Sequence, residues 1–294
     1  MTTTTKKMPS SSPAKRIPSF LFFFFHFSIL ISSAMPLPWC RAYAFESLSV
    51  DISQKYQPLN KYLYIKEDPE RKLEISDILK LGDDSFLGTG GKIPNYGVYP
   101  GRIWAKFAMT NNQKKDVDLI LELDFAYIGD LRLFSKTPEG EYRHTQAGLL
   151  FPMSVREVKN RNPVFPIELK AGSTATFYLR AESNGPIAFP LAIYKPSHFY
   201  ALDHDVQFIF GIYCGIILGV ILYNIFFYLS VRDKTCLTYI WLMIFGYGIL
   251  VPSLYGVTTE YYWPEIPWLA ERDGPLAICF TIVVYGILCQ NFLG

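Results

Sequence analysis

The chain has 294 residues, of which 50% are hydrophobic, 16% are aromatic and 18% are charged. An average soluble domain has about 25% charged residues, so this chain is unusually apolar and general disorder is excluded. The formal net charge is only +2, which creates no field that would hold a polyanion, so we expect no nucleic-acid partner.

The N-terminus has the order of a secretory signal peptide. Basic residues precede an apolar segment at 17–33, and small residues follow it. Ala42-Tyr43-Ala44 fits a cleavage site of the A-x-A type, which predicts a signal peptide over residues 1–44 and a mature chain from Phe45. Cleavage after Ala34 and an uncleaved membrane anchor are the open alternatives.

Residues 45–200 show the two-residue period of β-strands. The segment 117–124 alternates apolar and acidic residues, which predicts a strand with one core face and one solvated face that carries Glu122. The same period recurs at 103–109, 165–169, 175–181 and 187–193. Polar turns separate these strands, and only 73–81 reads as briefly helical. We therefore expect an all-β domain, an antiparallel β-sandwich or jelly roll, with Trp104 in its core.

Three apolar segments follow this domain. Residues 208–229 carry no charge, and at about 1.5 Å per residue they are long enough to cross a hydrocarbon core of about 30 Å. Further α-helical spans are predicted at 237–256 and 276–294, so the lipid bilayer is an expected partner. Three glycines spaced four residues apart predict close helix packing, within the chain or in a homo-oligomer: Gly211, Gly215 and Gly219.

The loops predict how these spans are oriented. If the signal peptide exports residues 45–200, the short loop 230–236 is cytoplasmic, and it carries Arg232 and Lys234 as the positive-inside rule requires. The loop 257–274 is acidic and rich in tyrosine and tryptophan, so it belongs outside.

Several motifs in this order resemble one known family. The β-rich region contributes Tyr64-Ile65-Lys66-Glu67-Asp68-Pro69, Asn95-Tyr96-Gly97, Ile103-Trp104-Ala105-Lys106-Phe107 and Tyr178-Leu179-Arg180. The membrane region contributes Gly211-Ile212-Tyr213-Cys214-Gly215, Leu222-Tyr223-Asn224 and Ser230-Val231-Arg232-Asp233-Lys234. Over residues 45–294 the chain resembles the bacterial seven-transmembrane receptors with diverse intracellular signalling modules.

The resemblance implies a periplasmic jelly-roll sensor domain over 45–200 that binds carbohydrate or another small ligand. It also implies a membrane region over 207–294 that relays to a cytoplasmic output from the bacterial inner membrane. The sequence departs from the family because it holds three apolar spans and ends at Gly294 within the third. We expect a receptor fragment that is not an enzyme. The alternative is an exported binding or scaffold module, without signalling, on a membrane anchor.

Tyr96 and Tyr99 are the first candidates for ligand binding. They lie in a glycine-rich segment, 88–101, and tyrosine rings can stack on the face of a sugar. The segment lacks the Lys-Ser or Lys-Thr of a phosphate-binding loop, so a phosphate site is not expected. An ordinary connecting loop is the other interpretation.

Arg156 and Arg161 are the second candidates. They could hold a ligand carboxylate, or they could pair with Glu157 and Glu168.

No catalytic residue, metal site or cofactor is expected. His198 and His204 lie beside acidic residues and could ligate zinc, but their spacing matches no known ligand pattern, and a polar linker entering a membrane has the same composition.

Overall fold

The computed structural model describes residues 45–137 and 139–293 and begins with the β-rich region. The predicted signal peptide over 1–44 lies outside the described residues. The described strands are β1 (Leu48–Ser49), β2 (Tyr56–Pro58), β3 (Tyr64–Asp68), β4 (Leu87–Gly88), β5 (Asn95–Val98), β6 (Arg102–Thr110), β7 (Val117–Leu123), β8 (Asp130–Lys136), β9 (Tyr142–Ala147), β10 (Val164–Leu169), β11 (Thr174–Glu182), β12 (Pro186–Ala188) and β13 (Leu191–Tyr194). One short helix, α1 (Ile75–Ile78), lies within the predicted helical segment.

The strands form a sandwich of two main sheets. The larger sheet has the order β4-β3-β6-β11-β8-β9, with β1 added parallel to β6, and the smaller sheet has the order β10-β7-β13-β2. The remaining pairings are antiparallel. A separate antiparallel pair, β5 with β12, forms a flap. These sheets confirm the predicted β-sandwich, whereas the jelly-roll topology stays a prediction.

The inward faces of the two sheets share one apolar core. Leu121 and Leu123 of β7 are fully buried in it, and Phe107 of β6 stacks on Phe177 of β11 with ring centroids 5.4 Å apart. The alternation that predicted these strands therefore reflects burial of one face of each sheet.

The outer face of the larger sheet holds a second apolar cluster. Trp104 is fully buried there and contacts Phe134 with ring centroids 5.5 Å apart. Leu73, Ile75 and Leu81, from the segment around α1, pack against this cluster. Trp104 is thus buried as predicted, although beneath the α1 segment instead of between the sheets.

Two details of the sequence prediction were wrong. The segment 187–193 is two strands, β12 and β13, because Pro190 lacks the N–H that a ladder needs and Phe189 donates instead to the carbonyl of Pro94. Glu122 is not solvated: only 7% of it is exposed, and Asn162 Nδ2 donates to its Oε1 at 2.8 Å. The outer face of β7 is covered by neighbouring segments, which period alone does not reveal.

Three helices follow the sandwich: α2 (Pro196–Val231), α3 (Lys234–Leu254, with π-helical turns over Met243–Leu250) and α4 (Pro267–Leu293). Each is long and apolar enough to cross a membrane, as predicted. α4 begins nine residues before the predicted start at 276, and it contains Pro275. A Cβ atom built on Gly211, Gly215 or Gly219 would meet no atom within 4 Å, so this stripe packs on no described helix.

Candidate functional site

The flap fixes the two candidate tyrosines against each other. Tyr96 lies on β5 and Tyr99 follows it, with ring centroids 5.8 Å apart in an edge-to-face arrangement. Both rings are half-buried against the core, and the Tyr99 hydroxyl donates to Glu67 Oε2 at 3.3 Å. Burial and the nearby Glu67 carboxylate raise the pKa of both phenols, so both stay protonated and able to donate at neutral pH.

Arg156 lies inside the domain instead of on its surface. Only 5% of it is exposed, and its guanidinium donates to the carbonyl oxygens of Asn160 at 2.7 Å and Gly148 at 3.2 Å. Burial lowers the pKa of this group to about 10, so it is still charged at neutral pH. Its bonds hold the loop between β9 and β10 in one conformation.

Arg161 connects the sandwich to the helices. Its Nη1 lies 3.1 Å from Asp203 Oδ1 on α2, and its backbone N–H donates to Glu260 Oε2 at 3.0 Å. The side chains of Arg161 and Asp203 are 16% and 14% exposed, so the pair is mostly shielded from water. The partner of Arg161 is therefore Asp203 and neither Glu157 nor Glu168, the two partners considered from the sequence, because folding brings α2 to this loop.

Two further polar residues complete the environment of Asp203. Asn160 Nδ2 donates to Oδ1 and Gln207 Nε2 donates to Oδ2, each at 2.8 Å. The sequence contained one signal for this group: Asp203 and Gln207 are one turn apart on the helix that enters the membrane, so they share a face. Among the described residues no cluster of His, Cys, Asp and Glu could hold a metal ion.

A second connection runs from the sandwich to α3 and α4. The Tyr127 hydroxyl, in the loop between β7 and β8, lies 2.6 Å from Ser253 Oγ, which bonds to Asp273 Oδ1 at 2.8 Å. Asp273 is buried and also accepts from Thr258 Oγ1, from Trp263 Nε1 at 2.9 Å and from its own neighbour's backbone N–H at 2.6 Å. One carboxylate therefore joins the end of α3, the following loop and the start of α4.

The loop between α3 and α4 lies against the sandwich. Met153 N–H donates to the Pro264 carbonyl at 2.7 Å, and Ser154 Oγ donates to Glu265 Oε2 at 2.7 Å. Asn184 Nδ2 donates to Glu271 Oε1 at 2.8 Å. The loop and the sandwich are thus on the same side of the three helices, as the predicted orientation requires.

A cleft separates the sandwich from the helices beside these contacts. Its volume is about 690 Å³, and its walls are polar at Arg161 and Asn162 and apolar at Phe210, Leu254 and Tyr255. The domain therefore rests on the helices through polar contacts, with open space beside them.

A β-sandwich resting on three helices that are able to span a membrane defines a membrane protein with a domain outside the bilayer. Comparison with family models agrees in both parts: residues 60–195 match the model "7TMR-DISM extracellular 2", and residues 206–294 match "7TM diverse intracellular signalling". The chain belongs to this family of seven-transmembrane receptors with an extracellular sensor domain, and the predicted resemblance is confirmed.

Other comparisons add little. No curated protein matches the chain. One solved structure with a local likeness is a β-glucosidase from Kluyveromyces marxianus in complex with glucose, at 14% identity and a TM-score of 0.30. The likeness covers 52% of this chain and only 18% of that enzyme, and at this TM-score it carries no argument.

Proposed function

We propose that the chain is the sensing part of a bacterial inner-membrane receptor. Its sandwich, residues 45–200, binds a small polar ligand of the carbohydrate class in the periplasm without transforming it. Its membrane region, residues 207–294, carries the signal toward a cytoplasmic output. The family models support the receptor class, and the leader over 1–44 is proposed to export the domain.

The ion pair between Arg161 and Asp203 is the observation that carries the relay. Arg161 belongs to the segment that Arg156 holds in place, and Asp203 belongs to the helix that continues through the membrane. Because the pair is mostly desolvated, separating its members is unfavourable. When the loop between β9 and β10 shifts, the ion pair therefore stays intact and α2 moves with the loop.

The charges at the other end of α2 support the orientation. Arg232 follows the last residue of α2 and Lys234 is the first residue of α3, at the opposite end of the span from the sandwich. Positive residues favour the cytoplasmic side, which leaves the sandwich in the periplasm. The open glycine stripe of α2 would permit a homo-oligomer in the membrane.

Tyr96 and Tyr99 are the proposed ligand contacts. Their rings pack against the core, so little side-chain entropy is lost when a ligand stacks on them, and the Tyr96 hydroxyl can donate to a sugar oxygen. Arg161 and Arg156 are assigned to the relay and its support.

Calorimetry on the full chain in lipid nanodiscs tests this function. Cell-wall oligosaccharides are the probes, and Tyr96→Ala combined with Tyr99→Ala should weaken binding about tenfold to hundredfold, as loss of aromatic anchors does. Tyr56→Ala is the control, since Tyr56 is an exposed tyrosine whose ring contacts Tyr194 in a tilted arrangement. A folded chain that binds none of the probes would favour the scaffold alternative, and turnover of any probe would identify an enzyme.

A further inference from the structure

The outer face of the larger sheet carries a continuous network of charged side chains, the charge network, in which arginines and carboxylates alternate. In order they are Arg71, Glu182, Arg102, Glu74, Arg180, Asp130 and Arg132. The successive N···O distances are 2.9, 2.7, 3.2, 3.6, 3.2 and 3.0 Å. Each carboxylate lies between two arginines and both ends are arginines, so the charge network contains four guanidinium groups and three carboxylates.

Glu74 differs from the other two carboxylates of the charge network. Asp130 and Glu182 lie on strands, and their side chains are 11% and 22% exposed. Glu74 immediately precedes the short helix α1, and its side chain is 58% exposed. Its contact with Arg180, at 3.6 Å, is too long for a hydrogen bond. Glu74 is therefore the most exposed of the three carboxylates and lies over two arginines that the sheet fixes, and it also forms a capping box with Asp77 at the start of α1.

Two buried donors on this face have no hydrogen-bond partner among the described residues. They are Nε of Arg180 and Nε1 of Trp104, on residues that are 5% and 0% exposed. The two residues lie directly opposite each other on β11 and β6, so their side chains share the outer face. Buried donors are nearly always satisfied in proteins, so two neighbouring exceptions indicate a missing acceptor.

A polar groove continues from this face along the edge strand β9. Its volume is about 670 Å³, and its lining includes Arg143, His144 and Gln146. Gln146 lies opposite Arg132, which lies opposite Arg180, so about 10 Å separates the groove from Arg180 across two strand spacings. Burial, then the charges of Arg132 and Arg180, lower the pKa of His144, while Asp130 has the opposite effect. The groove lining also includes the carboxylate of Glu157.

We propose that this face binds a carboxylate-bearing small molecule, an acidic sugar or a small organic acid, whose carboxylate replaces Glu74 between Arg102 and Arg180. A carboxylate at this position can accept from Nη1 of Arg102 and from Nη1 of Arg180 at hydrogen-bond distance, and the 3.6 Å contact of Glu74 with Arg180 does not provide the second of these bonds. The polar body of the ligand extends toward the groove along β9. This inference rests on the proposed receptor function for the location of the ligand, and it names a ligand class and a face separate from Tyr96 and Tyr99.

Calorimetry on the full chain in nanodiscs, with D-glucuronate, succinate and D-glucose, tests the proposal. A carboxylate probe should bind, and glucose, which lacks the carboxylate, should bind at least tenfold more weakly. Glu74→Gln removes the internal competitor and should strengthen carboxylate binding at least threefold. Glu70→Gln is the matched control, because Glu70 is an exposed glutamate of the same segment that pairs with Lys72 and should change nothing.

Arg180→Gln should abolish binding. If that buried substitution prevents folding, Arg132→Gln, at a side chain that is 28% exposed, should weaken binding at least threefold. Preference for glucuronate over succinate identifies an acidic sugar, and the reverse identifies an organic acid. Equal binding of glucose and glucuronate, or an affinity unchanged by Glu74→Gln, would overturn the proposal. Oligosaccharide binding that depends on the tyrosine pair, together with no binding of either carboxylate probe, would overturn this inference while leaving the receptor function intact.

Discussion

Arg161 and Asp203 meet across the boundary between the sandwich and the first membrane helix, with 3.1 Å between Nη1 and Oδ1. Forty-two residues separate them along the chain. Each belongs to a segment that other bonds hold in place: Arg161 through the backbone bond to Glu260, and Asp203 through Asn160 and Gln207. The boundary is thus joined by a polar contact whose strength can be measured.

Breaking this pair should destabilise the whole chain. Arg161→Ala or Asp203→Ala leaves a mostly buried charge without its partner, at a cost of about 3 kcal/mol. The double variant should cost less than the sum, with a coupling energy of about 1 to 3 kcal/mol. Thermal unfolding of the full chain in nanodiscs measures these values. Lys170→Ala, which removes an exposed ion pair with Asp116, is the control, and additive effects of the two substitutions would show that the pair is not coupled.

Asp273→Asn should loosen the second connection. An amide offers one acceptor oxygen where the carboxylate accepts from four donors, so at least one buried donor loses its partner. We expect a loss of about 2 to 3 kcal/mol of stability and a changed emission from Trp263, whose indole donates to Asp273. Asp205→Asn, at an exposed carboxylate on α2, serves as the comparison. An unchanged melting temperature would show that Asp273 does not hold α3 and α4 together.

Glu122 should make stability depend on pH. Burial raises its pKa above the ordinary value of 4.5, with a smaller raising effect from Asp124, and the bond from Asn162 only partly opposes this. A carboxyl whose pKa is higher in the folded state contributes stability below the unfolded pKa, and that contribution is lost as the pH rises through the folded pKa.

Glu122→Gln, which keeps an acceptor for Asn162, should therefore become more stable relative to the parent chain as the pH rises from 4.5 through the raised pKa of Glu122. Melting temperatures of both chains across this range give the comparison. Asp118→Asn, at an exposed acidic residue of the same strand, should show no such trend. A constant difference between the Glu122→Gln variant and the parent would mean that Glu122 titrates as it does in water.

Fusions to a periplasmic phosphatase test the orientation. In the proposed orientation the sandwich and the start of α2 lie outside and the loop between α2 and α3 lies inside, so a fusion after Ser197 should be active and a fusion at Lys234 should be inactive. The reverse pattern would overturn periplasmic sensing.

Local features of the sequence determined the strands and the membrane spans. The alternation in 117–124 corresponds to β7, and the uncharged run 208–229 lies within α2. Both patterns follow from which side chains face water or lipid, and this depends on neighbours within a few residues. The family resemblance depended on the same local motifs, and it is confirmed by the matches over 60–195 and 206–294.

The partners of charged residues were decided only by the tertiary structure. Arg161 found Asp203 instead of Glu157 or Glu168, and Glu122 is buried although it has the period of a solvated residue. The charge network on the outer face connects the segment before α1 to strands that are distant in sequence, so no residue spacing in the sequence predicts it. An ion pair depends on distance in space, and chain folding sets that distance through packing of apolar faces that do not encode which charges will meet.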